Sequence, residues 1–299
     1  MSPTREIRIP NPFVLPVSRE RAYYLFGSTW RLPGCSPTSF HYFRSRDLRS
    51  WDGPYLAFER PEGFWADRDF VASEVHELDG AFYMFANLLG QGRPRGTQVL
   101  RAEAPGGPYR PISDGPVTPA HWECIDGTLH VDAHGEPWIV FCHEWIQIHN
   151  GAMCATRLSA DLSRAVDRPV YLFSATEAPW VLPFRTPDQD PALRFPGYVT
   201  DGPFLHRTAS GGLLMLWSSF GASGYTMGQA RSDDGTVTGR WEQAAEPLWT
   251  EDGGHGMLFR TFGGALMLTL HAPHSNGQFR TLFMPAEETD GWLRLTARP

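Results

Sequence analysis

The chain has 299 residues, of which 30 are Gly and 26 Pro, with 41% hydrophobic content, 13% aromatic content and a formal charge of -7. Nearly one residue in five therefore breaks regular structure, which argues against long helices. All 26 basic residues are Arg, so a Walker-type phosphate lysine, a Schiff base and a pyridoxal lysine are excluded.

The charge is mild and dispersed, with no basic stripe, so nucleic acid and anionic membranes are not expected as partners. No apolar run approaches the roughly 18 to 20 residues of a membrane span, and the opening MSPTREIRIPNP has no apolar signal core. The expected location is the cytoplasm. Cys35, Cys124, Cys142 and Cys154 lack C-x-x-C spacing and read as buried thiols, not as a disulfide framework or zinc site.

Five strand-turn-strand units follow one another along the chain. They are NPFVLPVSRERAYYLFGS from Asn11, SEVHELDGAFYMFAN from Ser73, DGTLHVDAHGEPWIVFCHE from Asp126, DGPFLHRTASGGLLMLWSS from Asp201 and HGMLFRTFGGALMLTLHA from His255. Each has a polar or Gly/Pro start, a short apolar strand, a turn, and a second strand rich in Leu, Met and aromatic residues, which is hairpin chemistry. Further strand-like sequence follows several of them, such as FHYFRSRDLRSWDGP and TQVLRAEAPGGPYRP. Starts separated by roughly 50 to 75 residues leave room for four strands each, the period of a propeller blade. The expectation is an all-β, five-bladed β-propeller forming one domain over residues 1–299, with a β-sandwich as the alternative.

In a propeller the first strand of every blade lines the axis, so the hairpin starts Asn11, Ser73 with Glu74, Asp126, Asp201 and His255 should meet at one face. The ends of the second strands, Ser28, Asn87, His143, Glu144, Trp145, Ser219 and His271, belong to the same face. A hydrophobic core has no use for such a gathering of charge. Asp126-Gly127 and Asp201-Gly202 also read individually as turn dipeptides. Their equivalent places in the repeat favour the site. Converging carboxylates suit glycoside hydrolysis, and Trp65, Trp122, Trp145 and Trp180, which fall in loops, could stack on a sugar or pack between blades. A small carbohydrate is the expected partner; the oligomeric state is open.

These segments, with RSRDLRSW, FWADRDFVASEVHELDGAFYMF, ECIDGTLHVDAHGEPWIVF, VTDGPFLHR and GGHGMLF, resemble glycoside hydrolase family 43 over nearly the whole chain. That resemblance implies five blades and inverting hydrolysis of arabinofuranosides or xylosides. It places Asn11 where the family has its Asp base, Asp126 at the residue that tunes the acid and orients the sugar, and Asp201 at the general acid, usually a Glu. His255 matches an axial His that lies near a water or an ion, usually calcium. No cofactor is required, and a structural Ca2+ near His255 is compatible with the resemblance.

An amide cannot serve as base, so Asn11 opens three readings. Another carboxylate replaces it, with Asp67, Asp69, Glu74, Glu123 and Glu144 as candidates on the expected active face. Alternatively the chain binds sugar without cleaving it, or it is closer to the sucrose- and fructan-cleaving family 32, whose acid segment Trp122-Glu123-Cys124 faintly echoes. Trp65, Asp69, Glu123, His143, Glu144, Trp145, Ser219 and His255 are the expected substrate-binding residues. The loops at 29–40 and 180–198 are expected to set the sugar and linkage.

Overall fold

The computed structural model describes residues 2–185 and 196–297. It is a β-propeller of five blades. Blade 1 comprises β2 (Phe13–Val17), β3 (Ala22–Phe26), β4 (Ser39–Ser45) and β5 (Ser50–Glu59), with the short β1 (Ser2–Pro3) on its outer edge. Blade 2 comprises β6 (Arg68–Leu78), β7 (Ala81–Leu89), β8 (Gly96–Ala102) and β9 (Arg110–Pro111). Blade 3 comprises β10 (Cys124–Val131), β11 (Pro137–His143), β12 (Ala152–Arg157) and β13 (Val170–Ser174). Blade 4 comprises β14 (Asp201–Arg207), β15 (Leu213–Gly221), β16 (Gly224–Ser232) and β17 (Trp241–Gln243). Blade 5 comprises β18 (Gly254–Arg260), β19 (Leu266–Ala272), β20 (Arg280–Thr289) and β21 (Trp292–Leu295). Strands within each blade are antiparallel, and every expected hairpin forms the two innermost strands of its blade.

The innermost strands touch in a closed cycle, β2 to β6, β10, β14, β18 and back to β2. The N-terminal segment joins the last blade to the first. Its β1 pairs with β5, while Thr281 on β20 donates its N–H to the Ile7 carbonyl at 3.3 Å and its hydroxyl to the Ile9 carbonyl. Apolar side chains fill the gaps between blades, as sheet-on-sheet packing requires. Trp217, for example, is fully buried against Phe173 and Trp180 and donates its indole N–H to Gln243 at 3.0 Å. Trp217→Ala is expected to cost about 3–5 kcal/mol, read from denaturant midpoints. No helix among the described residues is long and apolar enough to cross a membrane.

One local feature recurs in every blade and positions the site. The register slips by a bulge between Val71 and Glu74, Ile125 and Thr128, Asp201 and Phe204, and Gly254 and Met257. Within each bulge one residue has a left-handed backbone: Ala72 (φ 49°), Asp126 (φ 57°), Gly202 (φ 50°) and His255 (φ 49°). Asn11 (φ 57°), two residues before β2, is the blade 1 counterpart. Asn, Asp and Gly tolerate this conformation, whereas Ala72 and His255 hold it at a cost in strain.

Candidate active site

The five left-handed residues are tied to one another around the axis. Each N–H is accepted by a side chain of the preceding blade: Ala72 by Ser28 Oγ (2.8 Å), Asp126 by Asn87 Oδ1 (2.8 Å), His255 by Ser218 Oγ (2.8 Å) and Asn11 by His271 Nδ1 (3.2 Å). Blade 3 breaks the pattern. Cys142 stands opposite Ile125, as Asn87 stands opposite Val71 and Ser218 opposite Asp201. A thiol is a weak acceptor, and the Gly202 N–H goes instead to Asp126 Oδ2 at 2.9 Å. This bond carries the Asp126 carboxylate to the junction of blades 3 and 4, beside Asp201.

Asp126 is sealed. Its side chain is 1% exposed, and its Oδ1 accepts the Asn87 amide at 2.6 Å. Asp201, one residue before the bulge, is 22% exposed, and its Oδ2 accepts the Tyr225 hydroxyl. His255 Nδ1 lies 3.6 Å from Asp126 Oδ2 and 3.8 Å from Asp201 Oδ1. Burial first, and the Asp126 charge second, push the Asp201 carboxyl up to about 8. Burial also raises Asp126 and lowers His255. Two carboxyl groups held this closely favour a shared proton, and the partly exposed Asp201 is the member that meets solvent.

Tyr225 stacks on His274 at 4.2 Å, and His271 bonds His274 at 2.9 Å between Nε2 and Nδ1. Because His271 accepts from Asn11 at Nδ1, its proton sits on Nε2 and is donated to His274. A second charged group stands beside the pair. Arg95 gives two N–H groups to Asp69 Oδ2 (3.2 and 2.7 Å), lies 3.5 Å from Glu144 Oε1, and its backbone N–H is accepted by Glu123 at 2.9 Å. Burial raises the Glu144 carboxyl to about 7, against the opposing pull of Arg95.

The structure thus brings together Asn11, Asp126, Asp201 and His255 on one face, with Asp69, Glu123 and Glu144 grouped around Arg95. Glu74 lies near enough to act on Asp126 and His255 by charge. The bulge at Ala72 puts it two residues further along β6, level with Phe13, Thr128, Phe204 and Met257, in a mostly apolar layer beneath the pair. There it contacts His76 at 3.3 Å. His143 stacks on Trp122 at 4.2 Å and bonds Gln147, pointing away from its neighbour Glu144. Trp145 is buried edge-on to Phe184, and the Ser219 hydroxyl is donated to the Val199 carbonyl at 2.6 Å. Trp65 bonds Gln98 and lines a separate cavity of about 490 Å³ with Phe64 and residues 111–114. Asp67 pairs with Arg68 at the surface.

Tyr225 and Arg95 were not anticipated from sequence. Tyr225 lies at the start of a third strand and Arg95 one residue before one, places the repeat pattern does not assign to the axis, and an Arg in a Gly/Pro-rich loop ordinarily reads as surface. Residues 186–195, within the loop expected to set specificity, lie outside the described residues.

Asp126, Asp201 and His255 place one donor atom each within 4.8 Å of one another. Calcium takes six to eight oxygen ligands. Among the described residues one nitrogen and two carboxylates, already accepting from Asn87, Gly202 and Tyr225, supply at most three of these, so a calcium ion here would take most of its ligands from water.

This architecture, five blades around a carboxyl pair with one open and one sealed member, is that of a glycoside hydrolase. The sequence matches glycosyl hydrolases family 43 over residues 1–293, and the chain belongs to that family, whose members hydrolyse O-glycosyl bonds. It is similar to a solved structure described as an endo-arabinase from Bacteroides thetaiotaomicron, at 36% identity over 97% of this chain and 98% of that one, with a TM-score of 0.89. A thermostable family-43 glycoside hydrolase (20% identity, 97% and 93% coverage, TM-score 0.78) shares the fold. So does an exo-1,5-α-L-arabinanase from a bovine ruminal metagenomic library (16% identity, 98% and 98% coverage, TM-score 0.71). No curated protein matches the chain. Family 43 membership replaces the family 32 alternative.

Proposed function

We propose that the protein hydrolyses arabinofuranosides, xylosides or related furanosides of plant-type oligosaccharides with inversion at the anomeric carbon. The observation that carries this reading is the Asp126–Asp201 pair. Asp201 keeps a proton near neutral pH and is partly exposed, so it donates to the departing glycosidic oxygen. Asp126 raises its neighbour's proton affinity by like charge and is itself held by Asn87 and the Gly202 N–H. The likeness to a protein described as an endo-arabinase supports an arabinose-containing substrate. A cavity of about 410 Å³ lined by Trp30, Pro37, Asp67 and Asp69 adjoins the Arg95 cluster through Asp69 and offers an exposed indole with carboxylates, the surface a sugar ring requires. Turnover of a panel of nitrophenyl furanosides and pyranosides and of arabino- and xylo-oligosaccharides tests this. Furanoside or arabino-oligosaccharide cleavage supports it, and turnover of hexopyranosides alone contradicts it.

Asn11 favours a second reading, a propeller that binds sugar but has lost its base. The two readings separate on Asn11→Asp. If another carboxylate serves as base, the variant is expected to stay within several-fold of the parent in kcat. A binding protein with a lost base should instead go from no turnover to measurable turnover, since a positioned base contributes about a hundred- to ten-thousand-fold.

A further inference from the structure

We propose that Glu144 is the general base of this enzyme, doing from the end of β11 what Asn11 cannot do from the start of blade 1. The inference rests on the acid role given to Asp201 and extends it to the second catalytic group.

The remaining carboxylates near the site are committed elsewhere. Asp69 takes two N–H bonds from Arg95, and Glu123 accepts the Arg95 backbone N–H. Asp67 pairs with Arg68 at the surface, and Glu74 lies in the layer beneath the pair against His76. Glu144 differs in each respect. It lies two residues beyond Cys142, whose partner Ile125 precedes Asp126, at the open end of the blade that carries Asp126, and it is close enough to Asp201 for the two charges to act on each other. Among the described residues its one ion pair, 3.5 Å to Arg95, is longer than a hydrogen bond, so Arg95 orients the carboxylate without occupying it as Asp69 is occupied. It forms no capping bond to the short helix α1 (Trp145–Ile148) that follows it. Arg95, itself anchored by Asp69, favours the ionised form that a base requires.

The step balances as follows. The Glu144 carboxylate removes a proton from a water, and that water's oxygen bonds to the anomeric carbon. The bond from that carbon to the leaving oxygen breaks, and the leaving oxygen takes the proton from Asp201. Glu144 ends protonated and Asp201 ionised, and proton exchange with solvent resets both.

The test uses the full chain and p-nitrophenyl α-L-arabinofuranoside, with Glu144→Gln, Glu144→Ala and Asp201→Asn as variants. Glu144→Gln is expected to lose about a hundred- to ten-thousand-fold in kcat with KM within several-fold. In Glu144→Ala, added azide is expected to restore turnover and to give the glycosyl azide of inverted configuration, which a merely structural role would not produce. Turnover of Glu144→Gln within ten-fold of the parent overturns the proposal. So does a Glu144→Ala protein that binds arabino-oligosaccharide as the parent does but gains nothing from azide. With arabino-oligosaccharide, whose leaving alkoxide needs the acid, an inactive Asp201→Asn beside an active Glu144→Gln removes only the Glu144 assignment, whereas a fully active Asp201→Asn removes the acid assignment on which it rests.

Discussion

Replacing Asp201 with Asn is expected to lower kcat on arabino-oligosaccharides by about a hundred- to ten-thousand-fold, the usual contribution of a positioned proton donor. The amide matches the carboxyl in shape and still meets the Tyr225 hydroxyl, so the blade 3–4 junction should stay folded. What disappears is the proton that Asp201 holds through burial and the neighbouring Asp126. A sugar alkoxide leaves poorly without protonation, whereas nitrophenolate leaves readily. The defect should therefore be far smaller on nitrophenyl substrates, and that contrast separates loss of an acid from general damage. Equal losses on both substrate types, or none on either, count against the assignment.

The second large effect is expected in the pH dependence of kcat/KM. Productive enzyme needs Glu144 ionised and Asp201 protonated. Burial holds Glu144 at about 7, and burial with the Asp126 charge holds Asp201 at about 8. Activity should rise as pH climbs through about 7 and fall as it passes about 8, giving a narrow bell on the neutral to alkaline side. Ordinary carboxylates near 4 would put both limbs far lower. Asp201 is faced by Asp126 from β10, Tyr225 from β16, His255 from β18 and Glu144 beyond β11. Asp126 is the like charge that raises it, whereas the Tyr225 bond and His255 lower it. Asp126→Asn should consequently move the alkaline limb to lower pH, and Glu144→Gln should abolish the acidic limb. A pH–rate profile of the parent and these two variants reads all three outcomes. A bell centred near pH 4 to 5 would mean that neither carboxyl is perturbed as described.

Much of this was legible in the sequence because a hairpin repeated five times fixes where blades begin. Polar starts at Asn11, Asp126, Asp201 and His255 then have to converge. The rest turns on single-residue shifts that composition does not reveal. Ala72 adopts a left-handed conformation that Ala seldom takes, so the extra residue of its bulge was invisible, and Glu74 drops one layer below its expected place. The same one-residue displacement puts Ser218 on the His255 N–H and turns Ser219 onto Val199. In blade 3 it puts Cys142, and not His143, at the acceptor position. Tyr225 lies on a third strand and Arg95 just before one, and the register of those strands depends on turns that the repeat leaves unspecified. The Arg95 side chain reads as a solvent group until Asp69, Glu123 and Glu144 are seen around it.

The measurement that bears most directly on a two-carboxylate hydrolase with Asn at the first blade is proton NMR of the anomeric signals during early turnover of an arabino-oligosaccharide. Water deprotonated by one carboxylate while another protonates the leaving oxygen attacks from the opposite face. The inverted anomer is therefore expected first, with the other appearing only by mutarotation. A first product of retained configuration would require a covalent glycosyl-enzyme intermediate and would contradict the account.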